Sequence, residues 1–239
     1  MARPAGMIVS SPATGPALAN DDPRYTAAEF PPNKLLYLAQ LADQRGIDSR
    51  SWFGGLALSR NQIADPALRV SYRQASTFIR RALQSLDVPD AGLRIGREGT
   101  IGSFGLLGLA MMTSRSFGEA MQSGIRYHKI CGCLLDLAFE VVDENAVALV
   151  ATPQFGDTEL LPFFCEELFA SSTMISRELI GPELQPMRVE LSYPQPDYAD
   201  AYRELFRCEL RFGMAQNRLL IDNHLLGREI GRASCRERV

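Results

Sequence analysis

A run of glycines in the middle of the chain constrains its fold more than any other feature. Gly96, Gly99, Gly102, Gly105 and Gly108 recur at every third position, and Gly105-Leu106-Leu107-Gly108-Leu109-Ala110-Met111-Met112 is otherwise apolar. Without a Cβ, the backbone can enter left-handed turns or let another element come close. Where the pattern turns helical, Gly105 and Gly108 fall on adjacent turns of one face, so a neighbouring helix can pack there. The expectation is a buried, tightly packed segment.

Ser116-Phe117-Gly118-Glu119 follows, a pairing in which the serine and the glutamate can satisfy each other's open backbone donors at a helix start. Phe117, Ala120, Met121, Gly124, Ile125 and His128 then form a single apolar stripe at helical spacing. Arg126 lies opposite that stripe and Tyr127 on its flank. His128 is the one polar group centred on it.

Around this stretch the periodicity assigns the other elements. Asn33 to Arg45 reads as a helix stopped by Gly46, and Val70 to Leu86 as a second, ended by Asp87-Val88-Pro89-Asp90. Ala42 to Ile47 superficially fits the start of a helix-turn-helix, but Trp52, Phe53, Gly54 and Gly55 stand where polar base readers are needed, so a structural pair of helices is expected. Alternation over Leu135 to Val141 and Val147 to Ala151, about Asp143-Glu144-Asn145, predicts a β-hairpin. A long helix over Glu159 to Leu179, a strand over Met187 to Tyr193, a short helix around Tyr198 to Phe206, and strands over Cys208 to Phe212 and Arg218 to Asp222 complete the pattern. Helices first, then an antiparallel sheet carrying helices, is an α+β class.

The 239 residues, 46% of them apolar, can bury a sizeable core, and no apolar run is long enough to span a bilayer. Residues 1–30 are rich in Pro, Ala and Ser without periodicity; a disordered tail is expected there, and not a secretory signal. Five scattered cysteines make no disulfide framework and suit a reducing cytoplasm. Cys131-Gly-Cys133 lacks the two-residue spacing of a zinc or redox pair. A net charge of −3 argues against nucleic-acid binding by these residues, because phosphate neutralisation needs clustered Lys and Arg.

Catalytic signatures are scarce. Gly102-Ser103-Phe104-Gly105 is one residue short of a nucleophile elbow, which leaves a small-molecule hydrolase using Ser103 as the alternative class. With His128 and His224 as the only histidines, there is no pair at metal spacing. No metal or cofactor is expected, and no catalytic residue is assigned. His128 admits three readings: a core histidine bonded to a backbone carbonyl, a pocket group contacting a ligand, or a haem ligand. Glu166 and Glu167 read as a solvated helix edge, with Glu167 nearer the apolar face.

The Gly105 to Ala110 segment, the serine-bearing turn Thr113 to Ser116, Glu119-Ala120 and Arg126-Tyr127 together resemble the N-terminal effector domain of one branch of the AraC/XylS transcriptional regulators. The resemblance continues through Glu166 or Glu167, Arg177, Gly181, Pro186, Val189, Tyr202 to Phe206 and Phe212 to Leu219, and covers roughly Leu35 to Leu226. It implies a ligand-sensing and dimerisation domain, 31–226, of a cytoplasmic, homodimeric regulator and not an enzyme. A small-molecule effector would be contacted by His128, Tyr127 and Glu167. Promoter DNA would be bound only through a C-terminal helix-turn-helix domain absent from this sequence, and residues 227–239 read as a truncated linker with a non-native end. The arabinose in the family's label is not a ligand assignment.

Overall fold

The computed structural model describes residues 17–230; the expectations for residues 1–16 and 231–239 lie outside them. Residues 17–30 hold more order than their composition predicts. The backbone N–H of Leu18 donates to Gln154 O at 2.8 Å. Tyr25 packs its ring 5.2 Å from that of Phe155 and 5.8 Å from that of Tyr72. Strand β1 (Ala28–Phe30) then pairs antiparallel with β2 (Val70–Ser71). Aromatic burial outweighs the weak local propensity.

Helix α1 (Asn33–Arg45) spans the predicted residues and closes on Gly46 at φ 67°, where the N–H groups of Gly46 and Ile47 reach back to Asp43 O and Ala42 O. Arg50–Phe53, where the second helix of the structural pair was expected, forms a single 3₁₀ turn with Trp52 buried. Helix α2 (Tyr72–Leu86) begins at Ser71, whose hydroxyl and backbone exchange bonds with Gln74 in a full capping box. Helix α3 (Ala91–Glu98) follows after the predicted break.

The glycine run is less uniform than its spacing. Gly96 lets α3 lie directly on a later helix: a Cβ there would sit 2.5 Å from Glu167 O and from Ala170 Cβ. A 3₁₀ turn (Ile101–Phe104) leads into helix α4 (Gly105–Met112), and a Cβ on Gly108 would stand 1.9 Å from Ile101 O. The expectation that this segment is buried holds for one side only. Leu107 and Met111 face inward, while Leu106, Leu109 and Met112 are 85%, 53% and 44% exposed. Helix α4 packs against the turn before it and the helix after it, and among the described residues no third layer covers its outer face.

Helix α5 (Phe117–Arg126) starts as read, with Ser116 Oγ accepting from Glu119 N. The glutamate returns its bond to Arg115 N, one residue before the expected partner. The helix stops short of His128, which opens a 3₁₀ turn (His128–Cys131) ended by Gly132 at φ 80°.

Strands β3 (Leu135–Val141) and β4 (Ala146–Pro153) form the predicted hairpin, in register from Leu135 opposite Pro153 to Val141 opposite Val147. Helix α6 (Leu161–Ile180), strand β5 (Arg188–Glu190), helix α7 (Ala199–Phe206), and strands β6 (Glu209–Arg211) and β7 (Asn217–Asp222) complete the α+β fold. The sheet order is β3-β4-β7-β5-β6. It departs from a wholly antiparallel sheet at one edge, where β5 and β6 are parallel, and β5 separates β6 from β7. The cause is α7: a helical connection between two strands returns the chain in the same direction, whereas a tight turn reverses it. Residues 227–230 stay attached to the domain, with Phe117 N donating to Arg228 O at 2.8 Å and Ser116 bridging to Glu229.

Candidate functional site

Beneath α4 lies a chamber with a free volume of about 70 Å³, walled by α4, α5, α6 and the sheet. Leu107 and Met111 form its roof, Met121 and Ile125 one wall, Leu168 and Ile175 the opposite wall, and Leu137 with Leu149 its floor. Each side chain points there because its helix or strand buries that face. A second, more polar chamber of about 210 Å³ adjoins it, lined by Asn33, Tyr37, Glu98 and Ser103, and the two share Lys34, Phe104, Cys131, Glu167 and Ser171. A mostly apolar cavity with a few convergent polar groups is the usual form of a small-molecule site.

Lys34 and Glu167 stand where the chambers meet. Lys34 Nζ is 3.2 Å from Glu167 Oε2, with the two side chains only 8% and 14% exposed. The ammonium also donates to Gly132 O at 2.8 Å. Two of its three protons are thereby directed at the protein, and the charges of the pair cancel.

His128 lines the inner chamber. Its Nδ1 lies 2.6 Å from Ile125 O. A carbonyl can only accept, so Nδ1 donates in that contact. Nε2 is buried without a hydrogen-bond partner among the described residues, and the Leu135 carbonyl also acts on the ring. Burial holds the imidazole pKa below its ordinary value, with the Ile125 carbonyl acting in the opposite sense. Burial also pushes the thiols of Cys131 and Cys133 up to about 11 and about 12, so both remain protonated and unreactive near neutrality.

The structure brings His128 and Glu167 together on the inner chamber and leaves Tyr127 outside it. Tyr127 is 47% exposed and lies with Arg126, Leu137 and Phe139 on a separate surface groove between α5 and β3. Helix α5 ends at Arg126 and the 3₁₀ turn begins at His128, so Tyr127 is the junction residue between them. Ser103 sits on the rim of the outer chamber and donates its hydroxyl to Thr100 O at 2.6 Å, not to a base. Glu166 is not at a solvated edge. It is 2% exposed and accepts from Tyr198 Oη at 2.7 Å and Tyr202 Oη at 2.5 Å. Burial pushes its carboxyl up to about 7, against the lowering effect of those two hydroxyls.

Sequence reasoning passed over Lys34. The available signal was its position: it stands four residues before Leu38, on the apolar face of α1, where an unpartnered lysine would be out of place.

Residues 46–230 match the family described as the arabinose-binding domain of AraC transcription regulators, N-terminal. The ornithine utilization regulator of Pseudomonas aeruginosa is 25% identical over 210 residues, covering 88% of this chain and 62% of that protein. An uncharacterized HTH-type transcriptional regulator of Mycobacterium tuberculosis is 26% identical over 192 residues, covering 76% of this chain and 54% of its own length. Among solved structures, the transcriptional regulator CdpR of Pseudomonas aeruginosa shares the fold, with a TM-score of 0.58 and 19% identity over 81% of this chain and 56% of that one. The chain therefore spans less than two thirds of the length of the curated relatives it matches.

Proposed function

The chain belongs to the family of N-terminal arabinose-binding domains of AraC transcription regulators, and from that membership we propose that it senses a small effector for a DNA-binding regulator and has no catalytic activity of its own. The observation that carries this reading is the apolar inner chamber with Lys34, Glu167, His128, Ser171 and Ser172 among its polar lining. The effector enters from the outer chamber, passes the Lys34–Glu167 pair and lies against His128. Nothing in the site supplies an activated nucleophile: the thiols stay protonated and Ser103 is bonded to a carbonyl.

Helix α5 supports a route from effector to output. Met121, Gly124 and Ile125 line the chamber, and the start of the same helix holds Arg228 and Glu229. An effector that favours one seating of α5 also favours one placement of residues 226–230. A differential affinity of about 1–3 kcal/mol between two such arrangements is enough for regulation.

In this reading residues 31–226 are the sensing unit and the parent regulator works in the cytoplasm. It contacts promoter DNA through a C-terminal domain and acts as a homodimer. The exposed apolar face of α4, Leu106, Leu109 and Met112, is consistent with self-association. Among the described residues no helix is long and apolar enough to cross a membrane. The test is promoter binding at one fixed salt concentration by this chain and by the chain extended with its genomic downstream sequence. Binding is expected only for the extended protein, and to respond to a ligand that raises the melting temperature of this domain. Binding by this chain alone, or by neither form, refutes the proposal.

A further inference from the structure

We propose that the effector is an amphiphilic cation: an alkylammonium or amidinium head donates its N–H groups in the outer chamber at Glu98, and an apolar body fills the inner chamber. The inference rests on the two chambers being the effector site, and names the class of molecule that the site takes.

The first observation is the sign of the lining. The outer chamber is bordered by two carboxylates, Glu98 and Glu167, and by one cation, Lys34. Lys34 and Glu167 neutralise each other at 3.2 Å, and the ammonium is further held by Gly132 O, so one negative charge, that of Glu98, is left over. Arg94, whose charge also reaches Tyr37, lies outside the lining and is tied to Asp90 at 2.7 Å. A cleft with an excess of one sign concentrates ligands of the other.

The second observation is what the hydrogen-bonding groups have left to offer. Ser103 and Ser171 give their hydroxyl protons to backbone carbonyls, Thr100 O at 2.6 Å and Leu168 O at 3.0 Å. A hydroxyl committed in this way still has its lone pairs, and meets a ligand as an acceptor. Burial and a hydrogen bond to Glu98 push the Tyr37 hydroxyl up to about 12, so it keeps its proton and spends it on that carboxylate. Asn33 Nδ2 donates to Cys131 O at 3.3 Å. A carboxylate has about four acceptor positions, so Glu98 is not filled by one tyrosine. Acceptors therefore outnumber free donors, which suits a head that brings N–H groups and opposes a carboxylate or phosphate.

The third observation is the division of the space. The inner chamber, about 70 Å³ between apolar walls, would strip a charge of its hydration, whereas the outer one, about 210 Å³, has the exposed Glu98 at its border and can take a head that keeps part of its water. Phe104 lines both, so one molecule can extend past it with its head outside and its body within.

Three probes with one alkyl chain separate these requirements: hexylammonium, 1-hexanol and hexanoate, each titrated into the protein by NMR at pH 7. Hexylammonium is expected to bind at least about tenfold more tightly than hexanoate and about threefold more tightly than hexanol. Replacement Glu98→Gln, at an exposed position, should erase the advantage over hexanol and leave hexanol itself within about twofold of its wild-type affinity. Raising the salt concentration should likewise weaken hexylammonium and leave hexanol unchanged. Hexanol or hexanoate matching hexylammonium, or an advantage that survives Glu98→Gln, overturns the inference and leaves the chambers as an effector site. Failure of all three to bind overturns both.

Discussion

At the scale of single residues, the two most informative groups are carboxylates adjacent in sequence that ended in different places. Glu167 is held by Lys34, and the pair is almost wholly removed from water. Replacement Lys34→Met strands a buried carboxylate, and a loss of roughly 3 kcal/mol is expected in urea unfolding. The double variant Lys34→Met/Glu167→Met should recover most of that loss, because the uncompensated charge is gone. Glu166 is buried between two tyrosine hydroxyls, with its carboxyl pushed up to about 7 from an ordinary 4.5. A raised carboxyl pKa means that the folded protein binds the proton more tightly than the unfolded chain does. Its contribution to stability is complete below pH 4.5 and is lost as the pH rises through 7. Unfolding of the wild type and Glu166→Gln at pH 5 and pH 8 should therefore show the wild type losing stability relative to the variant, by on the order of 3 kcal/mol. Parallel behaviour of the two proteins would show that burial does not raise this carboxyl.

Among the elements, α4 combines the features of a cover. One face roofs the chamber with Leu107 and Met111, the other is exposed, and its first residue, Gly105, adopts φ 54° and ψ −127°, a conformation confined to glycine. The helix has eight residues, too few to be stable without its tertiary contacts. Amide exchange should therefore be faster in Gly105–Met112 than in α6, and an effector should slow it; equal protection without ligand would exclude a cover that opens locally. The neighbouring contact of α3 on α6 is the rigid counterpart. Gly96→Ala would push a methyl group to within 2.5 Å of Glu167 O, so a cost of about 1–3 kcal/mol is expected in thermal or urea unfolding. Because α6 carries Glu167, Leu168 and Ile175 into the chamber, the same substitution should also weaken effector binding.

For the whole molecule, the proposed self-association and the proposed output meet on one helix. The outer face of α4 exposes Leu106, Leu109 and Met112, and its inner face touches the chamber, so an effector and a second copy would act on one helix from opposite sides. If the proposed dimer forms through this face, Leu109→Lys weakens it by at least about tenfold in sedimentation while leaving the melting temperature of the monomer unchanged, since the side chain buries little within its own chain. An unaltered dimer would place the interface elsewhere. Much of this architecture was legible in the sequence. Helix α1, the Ser71 and Ser116 helix starts, the hairpin and the α+β order follow from local rules, because caps and hydrophobic periods act between residues a few positions apart. The apolar face through Ile125 and the inward position of His128 were legible for the same reason. Local rules could not place Lys34 beside Glu167, leave the outer face of α4 exposed, or insert β5 between β6 and β7. Each of these depends on which surfaces meet after the chain has closed over long separations, and the same periodicity is compatible with several such meetings. Local rules specify most of the helices and strands and point to the family, whereas the side chains that enclose the chamber follow from which faces pack together, because enclosure is a property of packed layers and not of any one segment.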